Sequence, residues 1–488
     1  MEYIGIIVLV TSFVVLLVIG VPIAFSIGIS GILTMLVSID SLPAFTTFAH
    51  RMATGLDSFA LLAIPFFILA GNIMNNGGIA IRLIDFARAI VGRLPGGLAI
   101  VNVFANMLFG AISGSAAAAS SAIGSIMDPE MKKEGYNDSF SAAVNITSAT
   151  TGLSIPPSNI LIVYSLASGG VSITALFLAG YIPGILTGLA IILMAISMLI
   201  FQEKGMKGVA INITKTFLGL GVIALIVYGF KLSSDNLPAN THKFIKWSAI
   251  LVLLIFIVYR TIKHWKKAKH GTLKFLDAIP SLLMLVIVIG GIVAGIFTAT
   301  EASAVAVAYS LILGFIYKEL KIKDLPQILI KSVKTTAIVL LLVATSIGLS
   351  WIMSFENIPQ NVSQGLINIS SNPFVILLII NLILLFVGVF MDMTPAVLIF
   401  TPIFLPIVTT QLGLDPIHFG IIMVLNLSVG LCTPPVGSVL FIGCSVAKVP
   451  IDKVVKPLLP LFVAMIVILL LVTYLPELSL WIPKYFGF

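Results

Sequence analysis

The chain has 488 residues, 59% hydrophobic and 9% charged, with a formal net charge of +8 and a mean hydropathy of +1.17. A soluble domain carries about 25% charged residues, so this chain lacks the polar surface to cover itself in water. Cytosolic enzymes, disordered chains and secreted disulfide scaffolds are excluded, and an all-α polytopic membrane protein is expected. The apolar runs are continuous rather than alternating, which sets aside an outer-membrane barrel.

A span needs about 20 apolar residues. In chain order, spans are expected near 3–19, 22–38, 56–76, 138–167, 174–202, 209–231, 246–262, 279–297, 299–317, 332–355, 417–447 and 453–475. The first run has no basic n-region and no cleavage site and reads as a retained helix. Two further apolar stretches, 98–128 and 374–411, are interrupted centrally. The interruptions are Gly110-Ala111-Ile112-Ser113-Gly114-Ser115 and Met391-Asp392-Met393-Thr394-Pro395. Arms of about half a span around a polar tip predict re-entrant hairpins. Such tips exist at membrane depth only where they line protein or a water-filled cavity. A long kinked helix is the alternative.

An internal repeat organises these elements. Shifted by 278 positions, segment 108–174 lies on 386–452 without a gap. Gly110 falls on Gly388, Gly152-Leu153 on Gly430-Leu431, and Pro156-Pro157 on Pro434-Pro435. Three regions follow: a first repeat over 1–205, an inserted two-helix segment with a basic loop over 206–275, and a second repeat over 276–488. With alternating sides, Lys and Arg split 22 to 5. The rich side is cytoplasmic, so both termini are expected in the periplasm. Each half makes an odd number of crossings, which inverts one relative to the other. The positive charge sits in these loops, where lipid headgroups meet it, and no nucleic-acid partner is expected.

The broken spans 138–167 and 417–447 carry the candidate chemistry. Their proline pairs lack N–H groups and unwind the helix. The freed carbonyls cost several kcal/mol each in hydrocarbon unless satisfied. A dehydrated Na⁺ is one satisfier; water or a Ser/Thr hydroxyl healing a kink is the other. The hairpin tips add the Ser113 and Ser115 hydroxyls, the Met391 carbonyl, the Asp392 carboxylate and the Thr394 hydroxyl. Half-helix N-termini pointing inward suit an anionic cargo. No Lys or Arg is expected at mid-depth in the repeated halves. Of the acidic residues, Asp392 and Glu301 lie apart from flanking loops; each is either a functional group or a helix cap. No catalytic triad, paired carboxylates, Walker loop or metal-ligand spacing occurs, so neither an enzyme nor a transition-metal or organic cofactor is expected. Cys432 and Cys444 read as packing residues.

Five motifs carry a family resemblance: Ala63-Ile64-Pro65-Phe66-Phe67 with Ala70-Gly71; Gly110 to Ala116; Ile155-Pro156-Pro157-Ser158; Gly295 to Ala302; and Gly430-Leu431-Cys432-Thr433-Pro434-Pro435-Val436-Gly437. In this order they resemble the large membrane subunit of tripartite ATP-independent periplasmic (TRAP) transporters, over about 1–205 and 275–485. The resemblance implies an elevator-type fold of two inverted repeats and Na⁺-coupled uptake of a small organic acid across the bacterial inner membrane. It implies two partners, a small membrane subunit of about four helices and a periplasmic substrate-binding protein. Carried over by motif, it places sodium ligands at Ser113, Ser115, Gly152, Ser154 and Pro156 in one half, and at Met391, Asp392, Thr394, Gly430, Thr433 and Pro434 in the other. Ser158, Thr300, Glu301 and Pro65 are candidates for substrate or coupling contacts. Ala299 stands where the family usually has proline, and the 209–262 insertion is absent from shorter members. A stand-alone Na⁺/dicarboxylate transporter or ion antiporter of the same hairpin plan is the alternative, and a channel a more distant one.

Overall fold

The computed structural model describes residues 4–92, 96–201, 265–434 and 436–488. The expected 209–262 insertion lies outside the described residues. All regular structure among the described residues is helical. Seven described helical stretches are long and apolar enough to cross a membrane. Large apolar side chains such as Ile7, Val18, Val286 and Phe386 face outward. In water this surface would be costly; against hydrocarbon it is the natural exterior.

The first half runs α1 (Ile4–Val18), α2 (Ile23–Ser38), α3 (Ser41–Leu56), α4 (Ala63–Asn76), α5 (Ile79–Val91), α6 (Gly97–Ser113), α7 (Ala116–Lys133), α8 (Asp138–Ala149), α9 (Asn159–Ala167) and α10 (Ile173–Phe201). The second runs α11 (Trp265–Val293), α12 (Ala299–Ile316), α13 (Leu325–Phe355), α14 (Ile358–Ile369), α15 (Pro373–Phe390), α16 (Met393–Pro406), α17 (Pro416–Gly430), α18 (Ser438–Ala447), α19 (Ile451–Tyr474) and α20 (Glu477–Tyr485). Helix bounds recur at the 278-residue spacing from α5 through α9, where α14 to α18 answer them within a few residues. One difference is informative. Where the second half has the unbroken α13, the first has α3, a 3₁₀ turn at Phe59–Leu62, and then α4.

Several elements depart from expectation. The arms α6 and α7 have 17 and 18 residues and α15 has 18, longer than the half-spans anticipated; α16 has 14 and continues into a π turn at Ile407–Gln411. Helix α13 begins at Leu325 rather than near 332, because Pro326 suits a first turn. Helices α3, α5, α14 and α20 lie outside the expected spans: they mix apolar residues with polar ones such as His50, Arg51, Arg82, Arg88, Gln360 or Lys484 and so fall below a spanning threshold.

Packing divides the helices into two groups. Helices α1 to α4, α12 and α13 pack mainly on one another and α6 to α9 and α15 to α19 form the other group, with α5 bridging them, packed on both α11 and α6. The groups meet where α4 touches α6 and α9, and where α13 touches α16. Inside the second group, buried amides tie helices together. The Asn106 amide lies within 2.7–3.1 Å of Asn102, Asn145 Oδ1 and Ser148 Oγ, and Asn426 donates to Asn381 Oδ1 at 2.7 Å. The halves are cross-linked too: the Tyr164 hydroxyl on α9 donates to the Pro416 carbonyl at 2.6 Å. Asn106→Leu removes a donor shared by three side-chain acceptors. The expected cost is about 1–2 kcal/mol, read as a lowered unfolding midpoint of the detergent-purified protein; an unchanged midpoint would show that the network adds no stability.

Candidate functional site

The first break begins where α8 ends at Ala149. A single 3₁₀ turn, Thr151–Leu153, follows, and Pro156 and Pro157 prevent the ladder from resuming until Asn159. The second break separates Gly430 from Ser438. Each break faces a hairpin tip. At the first tip Gly114 adopts φ +61°, its N–H donating to the Gly110 carbonyl at 2.8 Å. This left-handed residue closes α6 without a Cβ penalty. Ser115 then caps α7, its hydroxyl accepting from the Ala118 N–H at 3.2 Å. At the second tip Asp392 occupies the N-cap position of α16 but makes no side-chain capping hydrogen bond.

Glycine pairs set the hairpins against the breaks. A Cβ on Gly110 would lie 2.8 Å from the Gly152 Cα, and one on Gly430 would lie 2.7 Å from the Gly388 Cα. Both approaches are backbone on backbone. The two pairs occupy equivalent places in the repeat, so one packing device is used twice.

Between the two helix groups lies a cavity of about 530 Å³. Its walls include Ser113, Gly114 and Ser115 from one tip and Asp392, Met393 and Thr394 from the other. The breaks contribute Leu153, Asn159 and Ile160 on one side and Leu431, Ser438 and Val439 on the other. The facing wall is Ile64, Ile68, Gly71, Asn72 and Asn75 of α4 with Lys331, Thr335 and Val339 of α13. Helices α7, α9, α16 and α18 all begin at this cavity. Each N-terminus brings about half a positive charge, although some first-turn N–H groups are already paired, Ala118 with the Ser115 hydroxyl and Val439 with the Leu431 carbonyl. The convergence of four makes an anion-attracting chamber whose tips also carry hydroxyls.

Of the residues expected at the site, Ser113, Ser115, Asp392 and Thr394 line this cavity. Gly152 and Gly430 sit beneath the tips as packing partners. Ser154 is buried and shares a small void of about 10 Å³ with Thr150, Thr151, Thr187 and Ser428. Met391 is buried at the second tip. The Thr433 hydroxyl donates to the Val429 carbonyl at 3.0 Å, and the Thr433 carbonyl already accepts from the Gly437 N–H at 3.0 Å. Pro156 and Pro434 lie in the two breaks.

The four candidates for substrate or coupling contacts also lie off the cavity lining. The Glu301 carboxylate accepts from the Thr298 N–H at 2.7 Å and completes a capping box. The Thr300 hydroxyl donates to the Phe59 carbonyl at 2.9 Å. The Ser158 hydroxyl donates to the Leu153 carbonyl, and Pro65 sits in the first turn of α4.

Sequence reasoning misses Asn72, Asn75, Asn159, Thr335 and Lys331. Lys331 is counted above with the flanking basic residues; it is exposed in the second turn of α13 and also lines the cavity. A signal for it exists. Pro326 marks a helix start, and Lys331, Thr335 and Val339 then recur at four-residue spacing on one face.

Residues 10–478 match the family described as Tripartite ATP-independent periplasmic transporter, DctM component. The chain is 51% identical over 487 residues to protein YgiK of Salmonella typhimurium, covering 100% of this chain and 99% of that one. It is 36% identical to the C4-dicarboxylate TRAP transporter large permease protein DctM of Pseudomonas aeruginosa, over 95% of this chain and 94% of the relative. It is 38% identical to the isethionate TRAP transporter permease protein DctMQ of Oleidesulfovibrio alaskensis, over 97% of this chain and 65% of that longer one. Among solved structures, the Alcanivorax borkumensis YdaH transporter has a similar fold, with a TM-score of 0.59 at 13% identity, covering 92% of this chain and 90% of that one. The chain belongs to the DctM component family of tripartite ATP-independent periplasmic transporters, and is a multi-pass membrane permease subunit rather than an enzyme.

Proposed function

We propose that this permease carries a small organic acid anion across the bacterial inner membrane, driven by Na⁺ that binds between each hairpin tip and the break facing it. The observation that supports this reading best is the meeting of four helix N-termini and two hydroxyl-bearing tips in one cavity. An anion placed there is met by N–H groups and partial positive charge. A monovalent hard cation beside it is met by hydroxyls, freed carbonyls and the Asp392 carboxylate. Each ion lowers the cost of burying the other. Coupling then follows from differential affinity: a cation that orders a tip raises the affinity of the anion site next to it.

The hairpins and broken helices form the moving unit of an elevator, and α1 to α4 with α12 and α13 form its scaffold. The two packing groups and the cavity between them support this division. Lys and Arg placement orients both termini toward the periplasm. A small membrane subunit braces the scaffold and a periplasmic binding protein delivers the cargo. The relatives named for C4-dicarboxylate and isethionate make a carboxylate or sulfonate of a few carbons the first substrate class to try.

The test is uptake into proteoliposomes containing this chain with its small subunit. Labelled succinate and isethionate are each presented with the binding protein outside. Uptake of one of them is expected to need an inward Na⁺ gradient and the binding protein together. Na⁺-driven uptake that is indifferent to the binding protein would instead support a stand-alone symporter. Flux that neither saturates nor needs Na⁺ would support a channel.

A further inference from the structure

Only two charged side chains line the described cavity, Asp392 on a hairpin tip and Lys331 on α13. They belong to opposite walls, one in the helix group proposed to move and one in the scaffold. Lys331 lies in the second turn of α13 and heads a stripe with Thr335 and Val339. The facing helix α4 is graded in the same sense. Ile64 and Ile68 are apolar, whereas Asn72 and Asn75, two turns on, are amides. Asn72 donates to Ser332 at 2.9 Å, which holds this polar end of α4 beside Lys331. The scaffold wall is thus apolar at one end and cationic and amide-bearing at the other.

We propose that Lys331 is the anion-selecting residue of the scaffold wall: its ammonium sets a positive potential in the cavity and attracts the carboxylate or sulfonate group of the cargo. This rests on the cavity being the transport route. Helix N-termini and hydroxyls alone attract anions over short range, within the first turn. A full charge reaches further than a helix terminus, and because Lys331 is exposed its field in the chamber is screened by salt. Its place on the scaffold adds a consequence. The moving unit meets this charge in the alignment seen here and leaves it behind on moving away, so the cavity selects anions more strongly in one alignment than in the other.

The test reads the potential itself and needs no transported substrate. A reporter, Thr335→Cys, is introduced into the purified complex with its small subunit. Its modification rates by anionic sulfonatoethyl and cationic trimethylammonioethyl methanethiosulfonate are compared at low salt. The parent protein, with Cys432 and Cys444 buried, supplies the background. With Lys331 present the anionic reagent is expected to be favoured. Lys331→Gln should lower the anionic-to-cationic rate ratio about tenfold, and Lys331→Arg should keep it. Should Lys331→Gln fail to fold, salt serves as a second measurement. In about 1 M salt the screening length falls to about 3 Å, and the ratio of the Lys331 protein should collapse toward that of the free reagents. A ratio unmoved by the Gln variant, or by salt, would overturn the proposal and leave Lys331 as a surface anchor. Because this readout is independent of uptake, its failure and that of the proposed transport are told apart.

Discussion

Gly152→Val is expected to reduce Na⁺-driven uptake at least tenfold and to lower the unfolding midpoint of the purified protein. A Cβ at position 152 would lie 2.7 Å from the Ala111 nitrogen and overlap the Gly110 backbone. No side chain can rotate out of the way, because every atom it meets is main chain. The break must therefore move off the hairpin. Overpacking of this kind costs about 1–3 kcal/mol even where the surroundings can give. Here the displaced segment carries Ser113 and Ser115 to a different place relative to Leu153 and Asn159, so function falls further than stability. Gly430→Val, at the equivalent contact with Gly388, should behave alike. Gly290→Ala is the control, since a Cβ there meets nothing within 4 Å; its uptake should be unchanged. Full uptake by Gly152→Val would show that close approach of tip and break is not required.

Asp392→Ala is expected to raise the Na⁺ concentration for half-maximal uptake about tenfold. The carboxylate stands at the N-cap position of α16 without a side-chain capping bond, and the residue lines the cavity. It is the one anionic oxygen donor at either tip. Interactions with a charged partner contribute about 1.5–3 kcal/mol, and about 1.4 kcal/mol is a factor of ten in affinity. Asp392→Asn keeps an oxygen donor and should fall between the wild type and the Ala variant. Unchanged sodium dependence in both variants would remove Asp392 from the ion site and leave it a helix-start residue.

Much of this architecture is written locally. Proline pairs and glycine-centred tips interrupt apolar runs, and both signals are short-range, so Ser113, Ser115, Asp392 and Thr394 are legible in the amino-acid sequence alone. The glycine pairs are legible as repeats but not as contacts. Nothing in Gly110 or Gly152 alone says that their Cα atoms touch; that needs the hairpin folded back onto the break. The scaffold wall is hidden for a related reason. Asn72 and Lys331 are 259 residues apart, and only the docking of α4 and α13 puts them on one surface. Lys331 is further disguised by its neighbours Lys318, Lys321, Lys323 and Lys334, which make its segment look like an ordinary basic flank. Amphipathic helices such as α5 and α14 escape because a hydropathy threshold averages over a face that only packing reveals.

Under the proposed mechanism, ion and cargo meet between the hairpin tips and the broken helices. The most direct measurement is a cryo-EM map of the complex with its small subunit. It would be recorded at saturating Na⁺ with the organic acid that the uptake experiment identifies, and again with Na⁺ replaced by choline. The expected result is density for the acid in the cavity bordered by Ser115, Asn159, Thr394 and Ser438. Ion density should lie between each tip and its break, and both should be lost in choline. Acid density elsewhere in the chain, with the tips and breaks unchanged between the two conditions, would contradict it.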